Sequence, residues 1–184
     1  IASVGFSSQR GTFVAIDKDW NCLHDSIVWN DGRAVEEVKW IAENLGADKY
    51  HEISGVPLSA MWAYAKFKWV IDHRPDIYEK AWKFVNGQEW FLHKLGSEVI
   101  FSDPASLTLN GMMDVANLTW SEELCSLIGL SLDKLPPIGT PMTQVGVISK
   151  EAAAQTGFAE GMPVCVGGGD QQCAAIGAGV IREG

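Results

Sequence analysis

A mixed fold of the α/β or α+β class is what the residue order predicts, and three patterns carry that expectation. Short apolar runs broken by turn residues open the chain. Segments with apolar residues at every third or fourth position fill its middle. Near the other end an apolar run stops at three consecutive glycines and passes into a run of small residues. Period two marks strands and period 3.6 marks helices, so the mixture of the two sets the class. At 184 residues the chain fits one domain, or one large part of a two-domain protein. It begins at Ile1 without a methionine and stops at Gly184 just after a turn, which reads as a piece of a longer chain.

Taken in order, Ile1 to Ser7 is expected to form a buried strand and Ser8 to Gly11 a turn. Thr12 to Asp17 follows as a second strand, and Ser26 to Trp29 as a short third; the spacing predicts an antiparallel meander. Val35, Val38, Ile41, Ala42 and Leu45 then recur at helical spacing, and Gly46 is a natural stop. A second helix is expected over Ala60 to His73, with Trp69 and Val70 on its apolar side. Pro75 opens a third, because proline at the first helical position gives up no needed donor. Gln88 to Leu95 is the fourth, closed by Gly96, and Leu107 to Asp114 reads as a strand. Ser121 caps a helix through Ile128, with Glu122 and Glu123 well placed against its dipole. Leu135 to Ile138 is a rigid connector, and Ser149 caps a helix from Lys150 to Thr156 that Gly157 ends. Pro163 to Val166 is a buried strand, and Gln171 to Ile176 a helix.

Composition narrows the function. A net charge of −9 repels phosphate backbones, which disfavours nucleic acid as a partner while leaving room for one local basic pocket. No stretch approaches the roughly 20 apolar residues of a membrane span, so no membrane partner is expected. Cys22, Cys125, Cys165 and Cys173 form no CxxC pair and read as reduced, buried thiols of a cytoplasmic protein. His24, His51, His73 and His93 lack metal-ligand spacing, so no metal centre is expected. The eight tryptophans read mainly as core and helix-packing residues. Nothing sets the oligomeric state; a homodimer is compatible.

Three segments can carry chemistry. In the first, a strand ends in Gly167–Gly168–Gly169 and Asp170 opens the helix behind it. Glycines let a backbone or ligand approach, and the free N–H groups of the helix favour negative charge there. Asp170 could accept a proton from an alcohol or help hold Mg²⁺; it could equally be a plain helix cap. The run is neither GxGxxG nor a Walker A loop. In the second, Gln9, Arg10 and Gly11 form a polar turn between apolar strands, suited to hydroxyls or a carboxylate, or else an exposed hairpin tip. In the third, Trp29 is followed by Asn30, Asp31 and Arg33. A flat ring beside a carboxylate suits a polyol, although Asp31 and Arg33 could instead pair with each other.

Together these segments resemble the FGGY family of carbohydrate kinases. Ser8–Gln9–Arg10 is similar to the family's substrate turn, Ile27 to Arg33 to the xylulokinase form Leu-Trp-Asn-Asp-Gly-Arg, and Gly168 to Ala175 to the glycerol kinase form Gly-Asp-Gln-Gln-Ala-Ala. Met61, Lys66, Phe67, Trp69, Val70, Asp72 and His73 match a family signature, from which Ala63 departs. The resemblance covers essentially the whole chain. It implies a ribonuclease H-like domain of the actin and hexokinase type, here most of the first domain of a two-domain kinase. The phosphate-motif hairpin would lie before Ile1 and the nucleotide domain after Gly184. It further implies ATP and Mg²⁺ as cofactors and a sugar or polyol as substrate. Asp170 would be the catalytic base, with Gln9, Arg10, Gly11, Trp29, Asp31 and Gln171 around the substrate. Gly11 stands where glycerol kinases carry Glu and xylulokinases usually His, which argues against glycerol. The competing expectations are a non-catalytic actin-like sugar-binding module and a dinucleotide-dependent oxidoreductase using Gly167 to Gly179.

Overall fold

The structure is a computed structural model and describes residues 1–182. Its opening segment is not one buried strand. Ile1 is 97% exposed, and the sheet partners of this segment lie at the far end of the chain. Val4 bridges Val164 in parallel, and β1 (Ser7–Ser8) runs parallel to Gly168–Gly169. The expected antiparallel meander therefore forms only in part. β2 (Phe13–Ile16) bridges back to Cys22 and Ile27, but the third strand shrinks to that single contact at Ile27. Beyond it, side chains take the backbone groups that a strand would pair. The Trp29 N–H donates to Thr12 Oγ1 at 3.1 Å, and the Val28 and Trp29 carbonyls accept from Lys66.

The helical middle follows the sequence more closely. α1 (Val35–Asn44) ends at Leu45 and Gly46, and Gly46 directly precedes a helix the periodicity did not reveal, α2 (Ala47–Ser54). α3 (Ala63–His73) starts three residues later than expected, and α4 (Pro75–Lys80) opens on its proline. β3 (Lys83–Asn86) then pairs antiparallel with β2, Phe13 opposite Asn86 and Ile16 opposite Lys83. α5 (Gly87–Leu95) begins with a capping box in which Asn86 and Glu89 satisfy each other's backbone N–H groups. The strand expected over Leu107 to Asp114 is replaced by α6 (Pro104–Leu107), a 3₁₀ turn (Thr108–Asn110) and a short β4 (Met113–Asp114). Asp103 is the cause, since its Oδ1 accepts from the Ser106 N–H at 3.0 Å and nucleates a helix at Pro104.

β4 pairs with β5 (Thr119–Trp120), and α7 (Glu122–Ile128) is capped by Ser121 as expected. β6 (Gln144–Val147), α8 (Lys150–Thr156) with its Ser149 cap, and β7 (Pro163–Cys165) build a second layer, β6 and β7 pairing antiparallel. β8 (Gly168–Gly169) leads straight into α9 (Asp170–Gly177). Period two divides β2 between two cores. Phe13 and Ala15 enter the large cluster of α1 to α4 and α7, where the Phe13 and Phe67 rings stack at 4.1 Å. Val14 and Ile16 join Val85 on the other face, beneath Trp20, Trp82 and Trp90. A third cluster fills the space between α5, α8, β6 and β7.

Trp29 is 43% exposed, and the other tryptophans are half-buried over these clusters. The four cysteines are free, but Cys125 alone is buried as expected; Cys165 and Cys173 are half-buried and Cys22 is exposed. Burial pushes the Cys125 thiol up to about 12. Among the described residues no helix is long and apolar enough to cross a membrane.

Candidate functional site

The parallel ribbon of β1 and β8 brings Gln9 and Arg10 beside Asp170 and Gln171. Close approach explains the glycines of that ribbon. A Cβ on Gly167 would lie 1.9 Å from the Phe6 carbonyl oxygen, and one on Gly169 would lie 2.5 Å from Arg10 Cδ. The Gly167 N–H donates to Gln88 Oε1 at 3.0 Å, and Gln88 Nε2 donates to Asp103 Oδ2 at 3.0 Å, tying the ribbon to α5 and α6. Arg10 is 8% exposed and crosses over Gly169. Its Nη1 donates to Thr108 Oγ1 at 3.2 Å, its Nη2 to Gln171 Oε1, and its Nε stands 3.8 Å from Asp170 Oδ1. Asp170 is the first residue of α9, not its cap, which is Gly169. Its side chain keeps 52% of its surface exposed, so the carboxylate faces open space.

Opposite stands an apolar wall. Trp29, Met61, Trp62 and Leu109 close, with Gln9, Arg10, Asp170 and Gln171, a cavity of about 300 Å³. Lys66 lies fully buried behind this wall and donates to the carbonyls of Val28, Trp29 and Met61. Burial pulls its ammonium down to about 8. A polar face of mixed donors and acceptors opposite flat and flexible apolar side chains can grip a polyol by its hydroxyls and its C–H face together.

The structure thus joins five of the residues singled out from the sequence, Gln9, Arg10, Trp29, Asp170 and Gln171, in one cavity. Gly11 lies just behind it: at φ +66° an added Cβ would sit 3.2 Å from the Leu109 carbonyl and 3.6 Å from Trp29 Cβ. Asp31 does not line the cavity. Arg33 holds both of its oxygens, at 2.9 and 2.7 Å, and keeps its carboxyl below the usual range, which is the paired alternative read from the sequence. The sequence reading did not assign Trp62 or Leu109 to the site. Trp62 follows Met61 of the matched signature, a signal that could have found it; Leu109 follows an unanticipated helix and carries no such signal. Among the described residues no group of three or more His, Cys, Asp or Glu could hold a metal. Among the described residues lining the cavity, Asp170 is the one carboxylate.

Residues 1–177 match the N-terminal domain of the FGGY family of carbohydrate kinases. The chain belongs to this family. It is 34% identical over 188 residues to an autoinducer-2 kinase from Enterobacter sp. (strain 638), covering all of this chain and 35% of that protein. The chain therefore spans about a third of the length of such relatives. Among solved structures it superposes on a ligand-bound xylulose kinase from Lactobacillus acidophilus with a TM-score of 0.90, at 23% identity, covering 97% of this chain and 36% of that one. A glycerol kinase from Plasmodium falciparum, solved with ADP, gives a TM-score of 0.89 at 24% identity, covering 100% and 37%. These similarities establish the expected fold of the actin-like kinases. Family membership removes the dinucleotide-dependent reading of the Gly167 to Gly179 run.

Proposed function

We propose that this protein transfers the γ-phosphoryl group of ATP to a hydroxyl of a sugar or polyol held between Trp29 and Asp170. The observation that carries the reading is that Asp170, Arg10 and Trp29, far apart in sequence, line one cavity. In the proposed mechanism Asp170 accepts the proton of the attacking hydroxyl. Arg10 and Gln171 fix neighbouring oxygens, and the Trp29 ring packs against the C–H face. Phosphoryl transfer is governed by positioning and charge neutralisation, so the carboxylate aligns the nucleophile more than it activates it. Mg²⁺ bound with the nucleotide would neutralise charge on the transferred group. The proposal assigns the nucleotide phosphates and adenosine to segments outside these 184 residues, and places the reaction in the cytoplasm, where ATP is supplied.

Gly11 bears on the substrate. A side chain at that turn would press on Trp29 and Leu109 from behind, so its absence leaves the cavity its width, which favours a substrate larger than glycerol. Coupled ADP release by the intact enzyme, measured against pentoses, ketohexoses, polyols and aldonates, tests both parts. A pentose- or hexose-sized compound is expected to lead. Glycerol in first place would defeat the size argument, and sugar binding without ADP release would convert the protein into a non-catalytic module.

A further inference from the structure

The apolar wall of the cavity comes from two separate loops, one ending at Trp29 and the other at Met61 and Trp62. One side chain holds both. Lys66 projects from α3 with no exposed surface, and its Nζ donates to the carbonyls of Val28 at 2.8 Å, Trp29 at 2.6 Å and Met61 at 2.9 Å. An ammonium has three donors and no acceptor, so its capacity is filled by these three oxygens. A lysine is costly to bury, and the usual reason to keep one is a specific set of partners. Here every partner is backbone of a cavity-lining loop.

We propose that Lys66 is a positioning residue: it sets the spacing of Trp29 and Met61, and so the affinity for the sugar, and it loosens that wall when it loses its proton. The proposal rests on reading this cavity as the sugar site. A neutral amine has two N–H groups for three carbonyls, so one of the three contacts is lost when the proton leaves; the Val28 carbonyl also accepts from the Asp31 N–H, whereas loss at Trp29 or Met61 leaves a buried carbonyl without this donor, which is unfavourable. Burial is the largest influence on the ammonium and brings its titration to about 8; Asp31 and Arg33, the charged groups acting on it, oppose each other. Deprotonation therefore falls within a pH range in which the enzyme can be assayed.

The experiment uses the intact enzyme from about pH 6.5 to about 9.5, a range that brackets this titration. KM for the sugar, KM for ATP and kcat are measured for wild type and Lys66→Met. In parallel, the fluorine resonance of 5-fluorotryptophan at Trp29, assigned with Trp29→Phe, is followed against pH. The sugar KM of the wild type is expected to rise at least about fivefold through pH 8, the lower end of what one unsatisfied buried carbonyl costs. The ATP KM and kcat should change little. Lys66→Met should show the raised sugar KM at every pH, with no inflection. The Trp29 resonance should shift through the same pH in wild type and stay fixed in the variant. If no sugar is phosphorylated, the kinase reading fails, while a Trp29 shift near pH 8 that Lys66→Met abolishes still upholds the tether. A flat sugar KM together with an immobile Trp29 signal in an active wild type overturns it, and that comparison does not need Lys66→Met to fold.

Discussion

The two walls of the cavity are built on different principles. The apolar wall is continuous with the main core: Trp62 packs against the large helical cluster, and Lys66, which holds the backbone at Trp29 and Met61, sits on α3 one residue before Phe67. The polar wall stands on two-residue strands and on α9, a helix with no buried residue. Its groups are ordered by one another, Arg10 by Gln171 and Thr108, and Asp170 by the helix start. The apolar wall is therefore part of what keeps the protein folded, and the proposed chemistry stands at the margin of the fold. Changes behind the first wall should move stability and affinity together, and changes on the second should move affinity or turnover with little effect on stability.

Asp170→Asn puts the contrast to its hardest test. Turnover of the intact enzyme should fall about 10²–10⁴-fold, the typical contribution of a positioned base, with sugar binding and melting temperature unchanged. Near-normal turnover would remove the proposed role, and a large drop in melting temperature would erase the difference between the walls. Phe67→Ala is the counterpart in the core. Deleting a ring stacked on Phe13 should cost about 3–5 kcal/mol in chemical denaturation, and the sugar KM should rise because α3 carries Lys66. Destabilisation with an unchanged KM would show that the apolar wall is independent of the core behind it. The smallest effect is expected at Ser149→Ala, which removes the cap of α8, a helix that lines neither wall. A loss of about 1 kcal/mol with unaltered kinetics is the expected outcome, and altered kinetics would mean that the β6–β7 layer is coupled to the cavity.

Local signals were the legible ones. Ser121 and Ser149 announced their helices because a cap is a contact over three residues, and Asp170 stood out because three glycines before a helix are a rare local pattern. Long-range pairing left no such mark. Ile1 to Ser7 shows a strand's composition but cannot disclose that its partner is the Gly168 ribbon rather than the neighbouring hairpin. α2 was hidden because Gly46, correctly read as a stop, also starts the next helix. Leu107 to Asp114 was misread because the decisive contact, Asp103 with the Ser106 N–H, lies just upstream of the apolar run. Asp31 could not be placed from sequence because a carboxylate two residues from an arginine suits a ligand or that arginine equally, and geometry chose the arginine.

Arg10 and Gln171 touch across 161 positions of sequence. A ribosome adding about 5–20 residues per second leaves the first of them waiting roughly 8–30 s for the second to be made. Closing so long a span is entropically unfavourable before any contact rewards it, so the ribbon joins late. A nascent chain can thus assemble the tryptophan side of its pocket early, yet it holds no aligned carboxylate until the last turn of this segment has emerged.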